Sequence, residues 1–204
     1  MAENVLTDLQ VELLQVFFSL PESEGFLLAG GAGLVAVGLS ERRTEDLDVF
    51  TTRVSVELAA DALEAALLDR SWRVARIHDT PTFRRLVVTT PDDAEVLVDL
   101  ARDSGPLDAA TVTTFGPTYP AVELAAHKLL ALFGRAALRD FIDVATVSVV
   151  FDRSELIDLA RRIDAGFDEN VLAEMVEMLG RYSDDEIREY GADPAELRAF
   201  FTNW

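Results

Sequence analysis

Arg43-Thr44-Glu45-Asp46-Leu47-Asp48-Val49-Phe50-Thr51 is a polar turn running into six residues rich in β-formers. Read as a strand over 46–51, it sends Asp46 and Asp48 to one face and Leu47 and Val49 to the other, because side chains alternate along a strand. The two carboxylates then lie about 7 Å apart at the backbone. That spacing suits a pair of metal ions about 4 Å apart, as an in-line phosphoryl displacement requires. Mg²⁺ (or Mn²⁺) is the expected ion, since the donors are hard oxygens and the remaining positions can go to water and substrate phosphates. An acidic chain also produces Asp-x-Asp by accident on a solvated strand edge, so the neighbouring sequence has to decide.

Upstream, the apolar run Phe26 to Ala29 ends at Gly30-Gly31, and Ala32 to Leu39 has a helical pattern. A strand, a glycine turn and a helix in that order can cradle phosphate on backbone amides, with the helix dipole favouring the anion. Gly33 leaves the same corner unobstructed. Before this unit, Leu6 to Leu20 reads as an amphipathic helix. After it come a helix over Val54 to Asp69 and strands over Trp72 to His78, Phe83 to Thr89 and Glu95 to Leu100. Turn chemistry at Asp79-Thr80-Pro81 and Thr90-Pro91-Asp92-Asp93 separates these strands, which predicts an antiparallel meander beside a strand-helix-strand unit.

Asp103 to Tyr119, with two glycines and two prolines, reads as a connector. Beyond Pro120 every segment is helical in pattern: 121–133, 136–150, 154–163, 168–179, 183–190 and 194–201. Ser154, Asp168, Ser183 and Asp193 are the expected N-caps, and Pro194 suits a first helical position. The fold class is therefore α/β (α+β): a core with a mixed or antiparallel sheet over 1–110, then an all-helical domain over 118–204.

Asp99 sits within Val96-Leu97-Val98-Asp99-Leu100, where an unpaired buried carboxylate would be costly. A metal or a substrate hydroxyl would resolve that cost, making Asp99 a third ligand or a base for the attacking hydroxyl; an exposed strand end would resolve it too. Among the 18 basic residues only Lys128 is lysine. Its helix carries Leu124, Leu129 and Leu130 on the apolar side, bringing the ammonium near a buried face, where it could neutralise a triphosphate and departing pyrophosphate or snorkel to solvent. Arg139 and Asp143 are spaced for an i,i+4 pair.

The formal net charge is −19, so contact with a nucleic-acid backbone needs a local basic patch. Arg42, Arg43, Arg73, Arg76, Arg84 and Arg85 are the candidates for one. The chain has no cysteine, which excludes disulfides and thiolate metal sites, and two distant histidines, which argue against zinc. No apolar run suits a membrane span and no secretory leader is recognisable, so a cytoplasmic location without membrane contact is expected.

Two segments together resemble the AbiEii/MenT nucleotidyltransferase toxins: Leu28-Ala29-Gly30-Gly31-Ala32-Gly33-Leu34 with Arg43 to Phe50, and Glu123 to Leu132 through Arg135 and Arg139-Asp140-Phe141-Ile142-Asp143. They frame residues 26–150. The resemblance implies a polymerase-β-like nucleotidyltransferase core followed by a helical domain. It also implies transfer of a nucleotide from an NTP to the 3′ end of tRNA, blocking translation, and a cognate antitoxin as partner. On this reading Asp46, Asp48, Asp99, Lys128 and Asp143 are catalytic, and Gly30, Gly31, Arg43, Lys128 and Arg139 contact the NTP. Asp46, Asp48 and Asp99 bind metal, and Thr44 matches a position phosphorylated in some members. Ala32 stands where the family often has a hydroxyl residue, which leaves more of the phosphate contact to backbone. The late acidic residue is Asp143 or Asp140, with helical spacing favouring Asp143. Two rivals remain: a transferase acting on a small molecule or protein hydroxyl, and an inactive nucleotide- or partner-binding protein.

Overall fold

In the computed structural model, which describes residues 5–52, 55–202 and 204, the chain divides into two compact units, 1–120 and 121–204. The first begins with helix α1 (Asp8–Ser19), closed at its start by a reciprocal Thr7–Gln10 capping box. Strand β1 (Phe26–Leu28) follows, then α2 (Gly30–Ala36), β2 (Asp46–Thr51), α3 (Val56–Leu68), β3 (Arg73–Thr80), β4 (Phe83–Thr89) and β5 (Glu95–Arg102). Strands β6 (Thr111–Thr113) and β7 (Gly116–Thr118) complete the unit.

The seven strands form one mixed sheet in the order β3-β4-β5-β2-β1-β7-β6. The meander β3-β4-β5 is antiparallel; β2 pairs parallel with β5 and antiparallel with β1. The strongest determinant of this arrangement is alternation. On β2 the odd positions Leu47, Val49 and Thr51 are buried, and on β4 Leu86 and Val88 are. These, with Val96, Val98 and Leu100 of β5, belong to the cluster that includes Val56, Ala59, Ala60, Leu63 and Leu67 of α3 and Leu13, Leu14 and Phe17 of α1. The opposite face of β2, β4 and β5 carries Asp46, Asp48, Phe50, Phe83, Arg85 and Asp99. One face of the sheet is thus committed to the core, and the other carries the aspartates.

The predicted connector over 103–119 is corrected here. It contains the β6–β7 hairpin, and Leu28 of β1 pairs in parallel with Thr118 of β7. Thr118 Oγ1 donates to Leu28 O at 2.7 Å, which fixes the hairpin to the strand that leads into the glycine corner.

The second unit is helical: α4 (Ala121–Arg135), α5 (Leu138–Val147), α6 (Arg153–Ile163), α7 (Glu169–Glu177), α8 (Asp184–Glu189) and α9 (Pro194–Thr202). Asp168, Ser183 and Asp193 accept hydrogen bonds from backbone amides of the first turns they precede. The start of α6 differs from the sequence reading, since Asp152 rather than Ser154 stands at its N-cap position. Both are good cap residues by type; the earlier start lengthens the helix by two residues, and the Asp152 side chain makes no capping hydrogen bond. Among the described residues no helix is long and apolar enough to cross a membrane.

Candidate active site

The glycine corner and the carboxylate pair meet at the end of β1. Ala29 N donates to Asp48 O at 2.8 Å, so the chain enters α2 tied to the strand that bears the aspartates. Gly30 has φ +60°, in the left-handed region where a side chain is strained. A Cβ on Gly30 would overlap Asp48 Oδ2 and lie 2.7 Å from its Cγ. A Cβ on Gly31 would lie 2.7 Å from Thr44 Oγ1 and 3.7 Å from Arg42 Nη2. Both glycines therefore let side chains of the neighbouring segment approach the backbone more closely than any other residue would permit.

Thr44 is buried and donates through Oγ1 to Asp46 Oδ1 at 3.0 Å. Its carbonyl accepts from Gln10 Nε2 at 2.9 Å, while Gln10 Oε1 caps the first turn of α1. The turn before β2 is thus clamped from α1, a support that sequence reading missed because it spans 34 positions. Arg43, expected to contact the NTP, is exposed; Arg42 is the arginine whose guanidinium lies against the corner.

Asp99 stands directly beside Asp48 in the parallel β2–β5 register, and Arg85 stands directly opposite Asp99 in the antiparallel β4–β5 register. Arg85 Nε and Nη2 donate to the two oxygens of Asp99 at 2.7 and 2.5 Å. The buried carboxylate is resolved by a bidentate guanidinium, a strong and directional pairing. The Arg85 guanidinium is held charged more firmly than an isolated arginine, first by the hydrogen bonds to Asp99, against some desolvation, and then by the charges of Asp99, Asp46 and Asp48.

Asp99 therefore shares a sheet face and a register with Asp48, and both of its oxygens are engaged by Arg85. Among the described residues no group of three His, Cys, Asp or Glu side chains is arranged to share an ion. The oxygen donors at the glycine corner are those of Asp46 and Asp48, which fits an ion that keeps several waters and takes substrate phosphates as ligands.

The expected basic face is also revised. Arg76 pairs with Asp61, Glu64 and Asp79, and Arg84 with Asp79, Asp61 and Glu57, so both tie α3 to the meander on the core side. Arg73 pairs with Asp93. On the face that bears the aspartates, Arg85 pairs with Asp99, and Arg73, at the far end of β3 opposite Thr89, is held by Asp93.

In the helical unit, Lys128 is buried and its Nζ lies 2.8 Å from Asp143 Oδ2, itself 1% exposed. Asp140 has a different partner: it accepts two hydrogen bonds of 2.8 Å from Arg135 and one of 3.2 Å from Ala137 N, closing the start of α5. The two late acidic residues are therefore distinguished by what they hold, a lysine in one case and a helix cap in the other.

The family model described as "Nucleotidyl transferase AbiEii toxin, Type IV TA system" matches residues 12–200 of the chain. No curated protein matches it. Among solved structures, the nucleotidyltransferase toxin MenT4 of Mycobacterium tuberculosis is similar over 96% of this chain and 83% of its own, at 16% identity and a TM-score of 0.62. JHP933 of Helicobacter pylori is similar over 97% of this chain and 95% of its own, at 16% identity and a TM-score of 0.58. At such identity the likeness to these structures is one of fold.

Proposed function

The chain belongs to the nucleotidyl transferase AbiEii toxin family of type IV toxin–antitoxin systems, and from that premise we propose that it transfers a nucleotide from an NTP to the 3′ end of tRNA with Mg²⁺ held by Asp46 and Asp48. The observation that carries this reading is the overlap of the Gly30 Cβ position with the Asp48 carboxylate. It explains why a side chain is excluded where a nucleotide phosphate, a backbone turn and a metal-binding carboxylate must converge.

Asp46 and Asp48 would hold the ion, with Thr44 orienting Asp46 through its hydroxyl. Once bound, Mg²⁺ supplies charge stabilisation at the reacting phosphate and lowers the pKa of an oxygen bound to it. The amides of Gly30 and Gly31 and the Arg42 guanidinium take the phosphate side, where preorganised donors stabilise the charge that develops as pyrophosphate leaves. Lys128 is assigned to the triphosphate and Asp143 to holding its ammonium in place. Asp99, held by Arg85, is assigned to orienting and accepting the proton of the attacking hydroxyl rather than to the metal.

A cognate antitoxin is the expected protein partner. Thr44 is the proposed point of regulation, because a phosphate there adds close to two negative charges beside Asp46 and fills the space that Gly31 leaves.

Incubation with each labelled NTP, Mg²⁺ and total tRNA tests the proposal. Wild-type protein labels tRNA, while Asp46→Asn and Lys128→Met do not. Label on protein or on a small molecule, with none on tRNA, refutes the acceptor; full activity in both variants refutes the site.

A further inference from the structure

The face of the sheet that bears Asp46 and Asp48 continues across β5 and β4 as two rows of side chains. The first row runs Asp48, Asp99, Arg85, His78 over β2, β5, β4 and β3; the second, one step along the strands, runs Phe50, Ala101, Phe83, Thr80. Phe50 and Phe83 flank Ala101, one strand away on either side. Adjacent strands are about 4.8 Å apart, so the two phenylalanine backbones are separated by about 9.6 Å with a methyl group as the floor between them. A flat ring stacked on both sides needs about 3.5 Å per contact, about 7 Å in all, which is less than the spacing of the two backbones. Phe83 is not fixed by core packing: it is half-buried, with its ring 5.8 Å from that of His78 and the Arg85 guanidinium 5.7 Å from its centroid.

The position of the slot selects its occupant. The glycine corner lies on the β1 side of β2, and the slot lies on the β5 side. In an in-line displacement the leaving pyrophosphate and the attacking hydroxyl stand on opposite sides of the reacting phosphorus. With the triphosphate at the glycines, the attacking hydroxyl comes from over β5, beside Asp99 and the slot. An aromatic pair with an adjoining guanidinium matches a nucleobase and its phosphate, since every base offers a π-face and arginine adds a cation–π contact.

Resting on the proposed transfer to RNA, we propose that Phe50, Ala101 and Phe83 form the acceptor subsite, which clamps the 3′-terminal base of a single-stranded RNA end while Arg85 supports the phosphate behind it.

The test uses the full-length protein with tRNA and with a short single-stranded RNA carrying a fluorescent purine analogue as its 3′-terminal base. Expected results are quenching of the analogue on binding and a rise in acceptor KM of roughly 5- to 160-fold for Phe83→Ala, the range that loss of one base stack produces. Ala101→Leu, which fills the slot without removing either ring, gives a similar rise. Phe83→Trp restores acceptor KM, and the KM for NTP stays within about twofold in all three, as distinct sites require. Thermal melting of each variant confirms that the fold is retained, and Ala101→Leu carries the test if Phe83→Ala does not fold. Unquenched analogue in a wild-type protein that labels RNA overturns the subsite while leaving the proposed function intact. A rise confined to the NTP KM also overturns it, because the slot then holds the incoming base. If wild-type protein labels protein or small molecules and no RNA, both the proposed acceptor and this subsite fall.

Discussion

Replacing Gly30 by alanine separates two costs that the geometry keeps distinct. The first is backbone strain: at φ +60° a side chain costs roughly 1–2 kcal/mol whatever surrounds it. The second is local. The new Cβ would lie 2.7 Å from Asp48 Cγ and 3.1 Å from Asp48 Cβ, so the carboxylate must rotate away. Driving a side chain about 30° from its rotamer costs about 0.5–1.5 kcal/mol. Gly30→Ala should therefore lose about 1.5–3.5 kcal/mol, the two contributions together. In an Asp48→Ala background the carboxylate is gone and only the backbone cost remains, which predicts a coupling of about 1 kcal/mol between the sites. Urea denaturation of the wild type, the two single variants and the double variant measures it, and labelled-NTP transfer measures activity beside it. Transfer by Gly30→Ala should fall as far as transfer by Asp48→Ala, because the same carboxylate is misplaced. Additive stabilities within about 0.5 kcal/mol, or a Gly30→Ala protein that keeps near-normal transfer, would refute the close approach of backbone and carboxylate on which the site rests.

Chelation of divalent ions should abolish transfer, and Asp46→Glu, which keeps a carboxylate but displaces it, should raise the Mg²⁺ concentration needed to restore it, read from initial rates across a metal titration. Asp143→Ala leaves the buried Lys128 ammonium without its partner and should cost about 3–5 kcal/mol, whereas Lys128→Met with Asp143→Leu should recover most of that stability and no activity; comparable stability of Asp143→Ala and the double variant contradicts the pairing. The Asp79 carboxyl is held below the usual carboxylate range, chiefly by its hydrogen bond from Arg84. Its contribution is then complete above about pH 4 and is lost as pH falls through the lowered value. The stability difference between wild type and Asp79→Asn should accordingly be flat at neutral pH and close up in acid, and a difference that grows in acid has the wrong sign. Acceptor binding should weaken only modestly with salt, with a log–log slope near −1 if one or two cations meet the backbone of a single strand.

Strand β2 was legible because its pattern is local: alternation along six residues sets which face the aspartates share, and the turn before them sets where the strand begins. The same holds for β4, whose bounds coincide with the apolar alternation of Phe83 to Thr89. The β6–β7 hairpin was not legible, because each strand has three residues and β7 contains Gly116 and Pro117, both of which signal a loop. Nor was the partner of Asp99. A carboxylate in an apolar strand announces that something must neutralise it, but two registers are needed to find that Arg85 does so fourteen positions away. The arginine-rich meander misled for the same reason. Composition counts cations, and only the structure shows that Arg73, Arg76 and Arg84 are committed to carboxylates of the same unit.

That commitment bears on how so acidic a chain can act on a polyanion. The formal charge is −19, and among the described residues the meander arginines Arg73, Arg76, Arg84 and Arg85 are each paired with carboxylates. The available chemistry is short-range: two phenylalanines, a small residue between them, one guanidinium and the carboxylates themselves. Such a surface reads an end rather than a length, since stacking holds a single base while further phosphates meet repulsion. On the proposed function it would favour an acceptor whose last nucleotide projects alone from a folded body, the form of a tRNA terminus. In that proposal the acidity would add to selectivity, because repulsion disfavours longer duplex and internal RNA more than a single terminal nucleotide.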